Sequence, residues 1–239
     1  MPRLLATAAV LALIVIAALA LRAGAPEPVK LGATPVVVEL FTSQGCSSCP
    51  PADELLRELA RDPAYGKAII PLAYHVDYWD HLGWRDPFSS KQFTIRQMGY
   101  VRSFNLTSAY TPQAIVGGTR ELVGSHAAAL RAAIAEESTR NPEGSVRISI
   151  SGGTASVRAE TPPGRDLVVV VFEDGATTQI ARGENAGRTI ANDSIVRQIT
   201  RAKGAEASVA LPANATGVAA FLQDPKTMRI YAAARASAR

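Results

Sequence analysis

Cys46 and Cys49 are the only cysteines in the chain, and two serines separate them in the stretch ELFTSQGCSSCPPADELLRELA. Two sulfurs at this spacing can exchange a disulfide with a partner, supply half of a metal site, or close an inert staple. A short β-branched run ending at Phe41 precedes them, and a proline-started amphipathic segment follows at once. A cysteine at such a strand-to-helix junction meets the positive end of the helix dipole and several unpaired N–H groups, which favour thiolate over thiol. Cys46 is then the expected nucleophile, with Cys49 placed to resolve a mixed disulfide and release the partner. As a staple the pair is weak, because closing so small a loop removes little entropy from the unfolded chain.

A second concentration of reactive side chains is YHVDYWDHLGWRDPF, with two of the three histidines and both tryptophans. His75 and Asp77 fall on one face by the two-residue strand period, and a parallel strand here delivers them to the sheet edge that bears Cys46. His75 could protonate or orient a leaving thiol, with Asp77 and Trp79 near an incoming substrate. Alternatively it joins Cys46, Cys49, Asp77, Asp80 and His81 as metal ligands, a thiolate and imidazole set suited to copper or zinc. A second C-x-x-C, or the close histidine spacing of a dedicated zinc site, is missing. The plainer reading is a polar loop closing the sheet over Trp79 and Trp84. In ARGENAGRTI, Gly183 and Gly187 suit a turn; the rival is that Arg182, Glu184, Asn185 and Arg188 line a groove for a partner.

The elements that must position these residues follow from periodicity. TPVVVELF and AIIPLAYHV read as buried strands flanking the helix PPADELLRELARD, with Leu55, Leu56 and Leu59 on one side, and this order implies a right-handed parallel crossover. Residues 87–105 are more helical than extended, with Phe93, Met98 and Val101 on one side. TPQAIVGG reads as a strand, GTRELVGS as its hairpin partner and residues 126–139 as a helix. From about Ser145 the texture changes to alternating or β-branched segments divided by Gly, Pro and Asp-Gly turns, an all-β unit of sandwich type.

With 239 residues, 47% of them apolar, the chain is that of a folded protein. Its formal charge of +4 includes Arg3 and Arg22 of the N-terminal segment, and no basic cluster with interleaved aromatics points to nucleic acid. An arginine, an apolar run from Leu4 to Leu21 and Ala23-Gly24-Ala25 make residues 1–25 a signal peptide, or an uncleaved anchor and then the protein's sole membrane contact. Either sends the rest of the chain across a membrane into a periplasmic or secreted location, where a disulfide persists. No nucleotide, flavin or haem signature implies a cofactor.

C-x-x-C beside a β-α-β pattern, with Thr111-Pro112 entering a strand some sixty residues later, resembles the thioredoxin-like superfamily. The segments VVELFTSQGCSSCPPAD, YHVDYWDHLGWRDPF, YTPQAIVGG and RGENAGR resemble, more narrowly, a bacterial family of secreted thioredoxin-like proteins catalogued as a domain of unknown function. The resemblance implies an α/β thioredoxin-like domain, a central mixed sheet flanked by helices, over residues 34–140 with a helical insertion at about 87–105; the all-β sandwich-like domain read from the segment pattern follows over 145–239. It implies that Pro112 is cis and faces the cysteines, that the backbone of Thr111 can pair with an incoming substrate, and that Glu39 is a buried acid able to accept the proton of Cys49. The expected activity is thiol–disulfide exchange with a protein or small thiol or disulfide, electrons passing to or from a second redox protein. A copper- or zinc-binding protein, or a binding module that keeps the fold as scaffold, stands as the alternative. Gly45 departs from the usual tryptophan of thioredoxins, and Ser47-Ser48 from their glycine-proline pair.

Overall fold

The computed structural model describes residues 31–238 apart from 33 and 161. The expected signal segment, residues 1–25, lies outside the described residues. Among those described, no helix is long and apolar enough to cross a membrane.

Strand β1 (Val36–Thr42) is buried along its whole length, as is β2 (Ile69–His75), and the two run parallel with Thr42 opposite His75. Burial on both faces is why these strands read as continuous β-branched and apolar runs. Helix α1 (Pro50–Arg61) connects them, with prolines in its first turn and Ala52, Leu55, Leu56 and Leu59 turned to the sheet. Helix α2 (Lys91–Ser103) is capped by Ser90 and falls within the expected helical stretch. It buries Phe93, Arg96, Gln97, Tyr100 and Val101, whereas Met98, expected on that side, is exposed. Strands β3 (Gln113–Val116) and β4 (Arg120–Val123) form the expected hairpin, and α3 (Ala127–Ser138) follows.

Nine further strands complete the chain: β5 (Ser145–Ser151), β6 (Thr154–Glu160), β7 (Asp166–Glu173), β8 (Ala176–Gln179), β9 (Thr189–Asn192), β10 (Ile195–Ala202), β11 (Glu206–Ala210), β12 (Gly217–Gln223) and β13 (Ile230–Ser237). Four of them enter the same sheet as β1, in the order β13-β12-β7-β10-β2-β1-β3-β4. The sheet therefore runs across the boundary expected near residues 140–145. The junction is narrow: Ile195 of β10 stands opposite Ala73 of β2, and the Ala73 N–H donates to the Ser194 carbonyl at 2.7 Å. The fold is α/β, a mixed central sheet with three helices and two smaller antiparallel sheets. The three-stranded β11-β6-β5 sheet supplies the sandwich layer, packing Ala155 and Val157 with Val169, Val171, Val218 and Ala220.

Strand alternation separates the two faces of β1. Val36, Val38 and Leu40 meet α1 and α3, while Val37 and Phe41 meet the aromatic cluster of Tyr74, Phe93 and Tyr100 under α2. Glu39 shares the α2 face and Thr42 the α1 face, a division that decides which acid can serve the cysteines.

Candidate functional site

Cys46 and Cys49 form a disulfide with Cα atoms 5.5 Å apart, at the turn between β1 and α1. Cys49 is the N-cap of α1 and already has helical backbone angles (φ −78°, ψ −39°), so Cys46 sits just before the helix dipole's positive end. Both cysteines are 0% exposed, while Ser47 and Ser48 between them face solvent. The Thr111-Pro112 bond is cis. The Thr111 hydroxyl donates to Cys46 Sγ at 3.3 Å and accepts from Trp79 Nε1 at 2.9 Å, which fixes its direction. Trp79 also closes the space beside Gly45, where an added Cβ would come within 3.1 Å of the Trp79 Cβ. A side chain at position 45 would crowd Trp79, which comes from another loop and covers that side of the pair.

The loop joining β8 to β9 covers the other side. Asn185, 1% exposed, donates from Nδ2 to the carbonyl oxygens of Gln44 and Cys46, both at 2.9 Å. Its own Oδ1 accepts from Arg188 Nη1 at 3.0 Å, and Glu184 Oε2 accepts the Ser47 N–H at 3.0 Å. Gln44 is tied further by Asn192 Oδ1 at 3.0 Å, and its Oε1 accepts from Trp84 Nε1 at 3.2 Å. The ARGENAGRTI segment is thus a turn, and through Glu184, Asn185 and Arg188 it also closes over the cysteine loop. No hydrogen bond or ion pair of Arg182 with that loop is present among the described residues.

Beneath the pair lies a sealed polar cluster. His75 is fully buried, and its Nδ1 meets Asp86 Oδ2 at 2.7 Å. Asp86 Oδ2 also accepts the Gln44 N–H at 2.8 Å, and Oδ1 accepts the Phe88 N–H at 2.9 Å. Burial works against the Asp86 charge, but His75 and these N–H donors prevail and hold its pKa below the ordinary value. For His75, too, burial opposes the charge; Asp86, and then Asp53, outweigh both burial and the repulsion of Arg197, so its pKa is raised. Asp53 stands one helical turn beyond Cys49, its N–H bonded to the Cys49 carbonyl at 3.2 Å. Burial pushes the Asp53 carboxyl up to about 7, against the pull of His75 and of the Thr42 hydroxyl and with a further push from Asp86. Asp53 Oδ1, Thr42 Oγ1 and His75 Nε2 are all shut from solvent and lack a hydrogen bond of ordinary geometry among the described residues.

Glu39 is elsewhere. It is buried on the α2 face, where Arg96 donates to its two oxygens at 2.6 and 2.9 Å and the Tyr100 hydroxyl donates to Oε2. That carboxylate is fully engaged on the side of the sheet away from α1, so the structure does not bring it to Cys49. Asp77 is occupied in fastening α2, accepting from the Thr94 hydroxyl at 2.5 Å. Asp80 braces its own loop through the Asp86 N–H and the Ser89 hydroxyl, and His81 is exposed. Among the described residues no group of three or more His, Cys, Asp or Glu is placed to hold a metal ion, so Cys46, Cys49 and His75 do not form a ligand set in the disulfide state. Sequence reasoning passed over Asp53 and Asp86. The spacing of four from Cys49, which stacks two side chains on one helix face, was the signal for Asp53; Asp86 had none beyond its place in the aromatic loop.

Comparison with known proteins bears on the family and the fold. The profile of a family described as "Protein of unknown function (DUF1223)" matches residues 37–227. The solved structure of protein AGR_C_4864 from Agrobacterium tumefaciens is 30% identical, with a TM-score of 0.71 over 88% of this chain and 97% of that one. HBP35 of Porphyromonas gingivalis, a thioredoxin-like fold protein, is 14% identical with a TM-score of 0.61, covering 86% of this chain and 76% of that one, and shows likeness of fold. No curated protein matches the chain.

Proposed function

The chain belongs to the DUF1223 family, and from that premise we propose that it is an exported thiol–disulfide exchange protein, with Cys46 the attacking and Cys49 the resolving sulfur. The observation that carries this reading is the Cys46–Cys49 disulfide at the head of α1 with the Thr111 hydroxyl on Cys46 Sγ. A donor on that sulfur, together with the helix dipole, stabilises the thiolate that exchange requires.

In the reducing direction the Cys46 thiolate attacks one sulfur of a substrate disulfide, forming a mixed disulfide and expelling the other substrate sulfur as a thiolate. Cys49 gives its proton to Asp53, attacks Cys46 Sγ and releases the second substrate thiolate. The substrate gains two electrons and the cysteine pair loses two, leaving the internal disulfide. A separate dithiol protein must reduce it again; run backwards, the same steps oxidise a dithiol. An acid with a pKa of about 7 one turn from Cys49 suits the proton step. The His75–Asp86 pair holds a counter-charge beside it.

Both cysteines are completely buried, so a substrate reaches them only after a covering segment moves, and the Glu184–Asn185 loop, bonded to the backbone of the cysteine turn, is the segment proposed to do so. Export fits a pair kept as a disulfide. The test is the reduction potential of Cys46–Cys49 in glutathione buffers, with a Cys49→Ser variant offered a disulfide substrate. A potential between roughly −120 and −270 mV with a trapped Cys46 mixed disulfide supports exchange. A potential below about −300 mV with nothing trapped overturns it and leaves a structural bond.

A further inference from the structure

We propose that the groove between α2, β10 and the β12–β13 turn binds a small organic anion with an apolar body, a short aliphatic carboxylate being the simplest of the class. The groove encloses about 360 Å³, a volume within the range of small-molecule sites. Four of its lining residues are cationic, Arg96, Arg102, Arg201 and Lys226, and none is acidic. The counter-charges stand outside it: Glu39 pairs with Arg96 at 2.6 Å, Asp166 lies 3.6 Å from Arg201, and Asp224 sits in the turn that carries Lys226. Arg102 has no ion pair among the described residues.

The floor is built rather than incidental. Arg96 is 6% exposed, and its guanidinium is held by Glu39, by Tyr100 and by Gln223, whose Oε1 accepts from Nη1 at 3.2 Å. Those contacts use four of its five N–H donors, leaving one on Nη1 for a ligand. The turn wall is braced by Asp224 Oδ1, which accepts the Lys226 and Thr227 N–H groups at 2.7 and 2.8 Å. Gln92 Nε2 bridges α2 to the Ile199 carbonyl at 3.2 Å.

Two departures from ordinary helix design coincide here. Gly99 lies inside α2, where glycine costs about 1 kcal/mol relative to alanine. A Cβ at that position would stand 3.2 Å from Met228 Cε and 3.5 Å from its sulfur, so a larger side chain would press into the groove. Ile95 and Met98 are two of the three large apolar side chains left exposed in the described protein. With Gly99 and Arg102 they form one stripe along the helix, apolar first and cationic at its end. A carboxylate among Arg102, Arg201 and Lys226, its chain against Ile95, Ile199 and Met228, satisfies both halves. The site is independent of the disulfide's chemistry.

Titration of the purified protein with hexanoate, acetate and hexan-1-ol, followed by amide NMR and calorimetry, tests the proposal. Hexanoate should bind saturably and move the Gly99 resonance, with acetate and hexanol each at least about tenfold weaker, a difference of about 1.4 kcal/mol. Arg102→Gln combined with Lys226→Gln should weaken hexanoate by about tenfold and leave hexanol unchanged, and Gly99→Leu should abolish hexanoate binding. No saturable hexanoate binding below about 10 mM, or binding that hexanol matches or that ignores the charge changes, overturns it.

Discussion

Asn185 donates one side-chain amide to the carbonyl oxygens of Gln44 and Cys46, at 2.9 Å each, and so fastens a loop 139 residues further along the chain onto the disulfide. The bridge joins the β-rich half of the protein directly to its sulfur chemistry. Under the proposed exchange function, it would set an opening step.

The first prediction concerns that step. Two hydrogen bonds worth about 1 kcal/mol each hold the loop through Asn185, so Asn185→Ala should raise the rate of disulfide reduction by dithiothreitol by up to about thirtyfold. Thiol trapping over time measures it. An unchanged rate would mean that the loop is not the barrier.

Asp53→Asn should remove a pH dependence. The folded pKa of about 7 lies above the usual 3.8, so the stability this carboxyl contributes is complete below about pH 4 and is lost as pH rises through 7. The difference in unfolding free energy between parent and variant should therefore slope with pH between those values, by at most about 1.4 kcal/mol per unit. In exchange, the rate of mixed-disulfide resolution should lose its inflection near pH 7.

Thr111→Val deletes the hydroxyl that donates to Cys46 Sγ. That bond favours the thiolate over the disulfide sulfur, so its loss should destabilise the reduced form by about 1 kcal/mol and lower the potential by roughly 20 mV. Equilibration with glutathione reads this directly. A shift in the opposite direction would show that the hydroxyl serves the oxidised state.

Glu39 and Arg96 form a buried pair, so removing one partner strands the other's charge. Glu39→Gln and Arg96→Met should each destabilise by about 3–5 kcal/mol in urea, and the paired change Glu39→Gln with Arg96→Met by less than the sum. Neither should shift the pH profile of exchange, which separates this network from Asp53.

Much of the site was legible because its geometry is local. A β-branched run, a C-x-x-C and a proline-started amphipathic helix adjoin in sequence, so the sulfurs and the helix terminus are brought together by backbone geometry alone. The α1 and α2 elements, the β3–β4 hairpin and the strand-rich second half followed from the 3.6 and 2 periodicities in the same way. Met98 was misplaced because the apolar stripe of α2 is broken by two buried polar groups, Arg96 and Gln97, which count against burial until their partners are seen.

The sequence by itself determined that a dithiol pair stands at a strand-to-helix junction of an α/β fold. Tertiary structure decided on which face of the sheet each nearby acid lies. Glu39 and Asp53 are both acids near the cysteines in sequence, but the pleat of β1 sends Glu39 to Arg96 under α2, whereas the helical turn stacks Asp53 beyond Cys49 on the opposite face. The same holds for the cover. Asn185 reaches Cys46 because β10 enters the sheet beside β2 and carries the β8–β9 loop with it, a pairing between distant segments that no local pattern specifies.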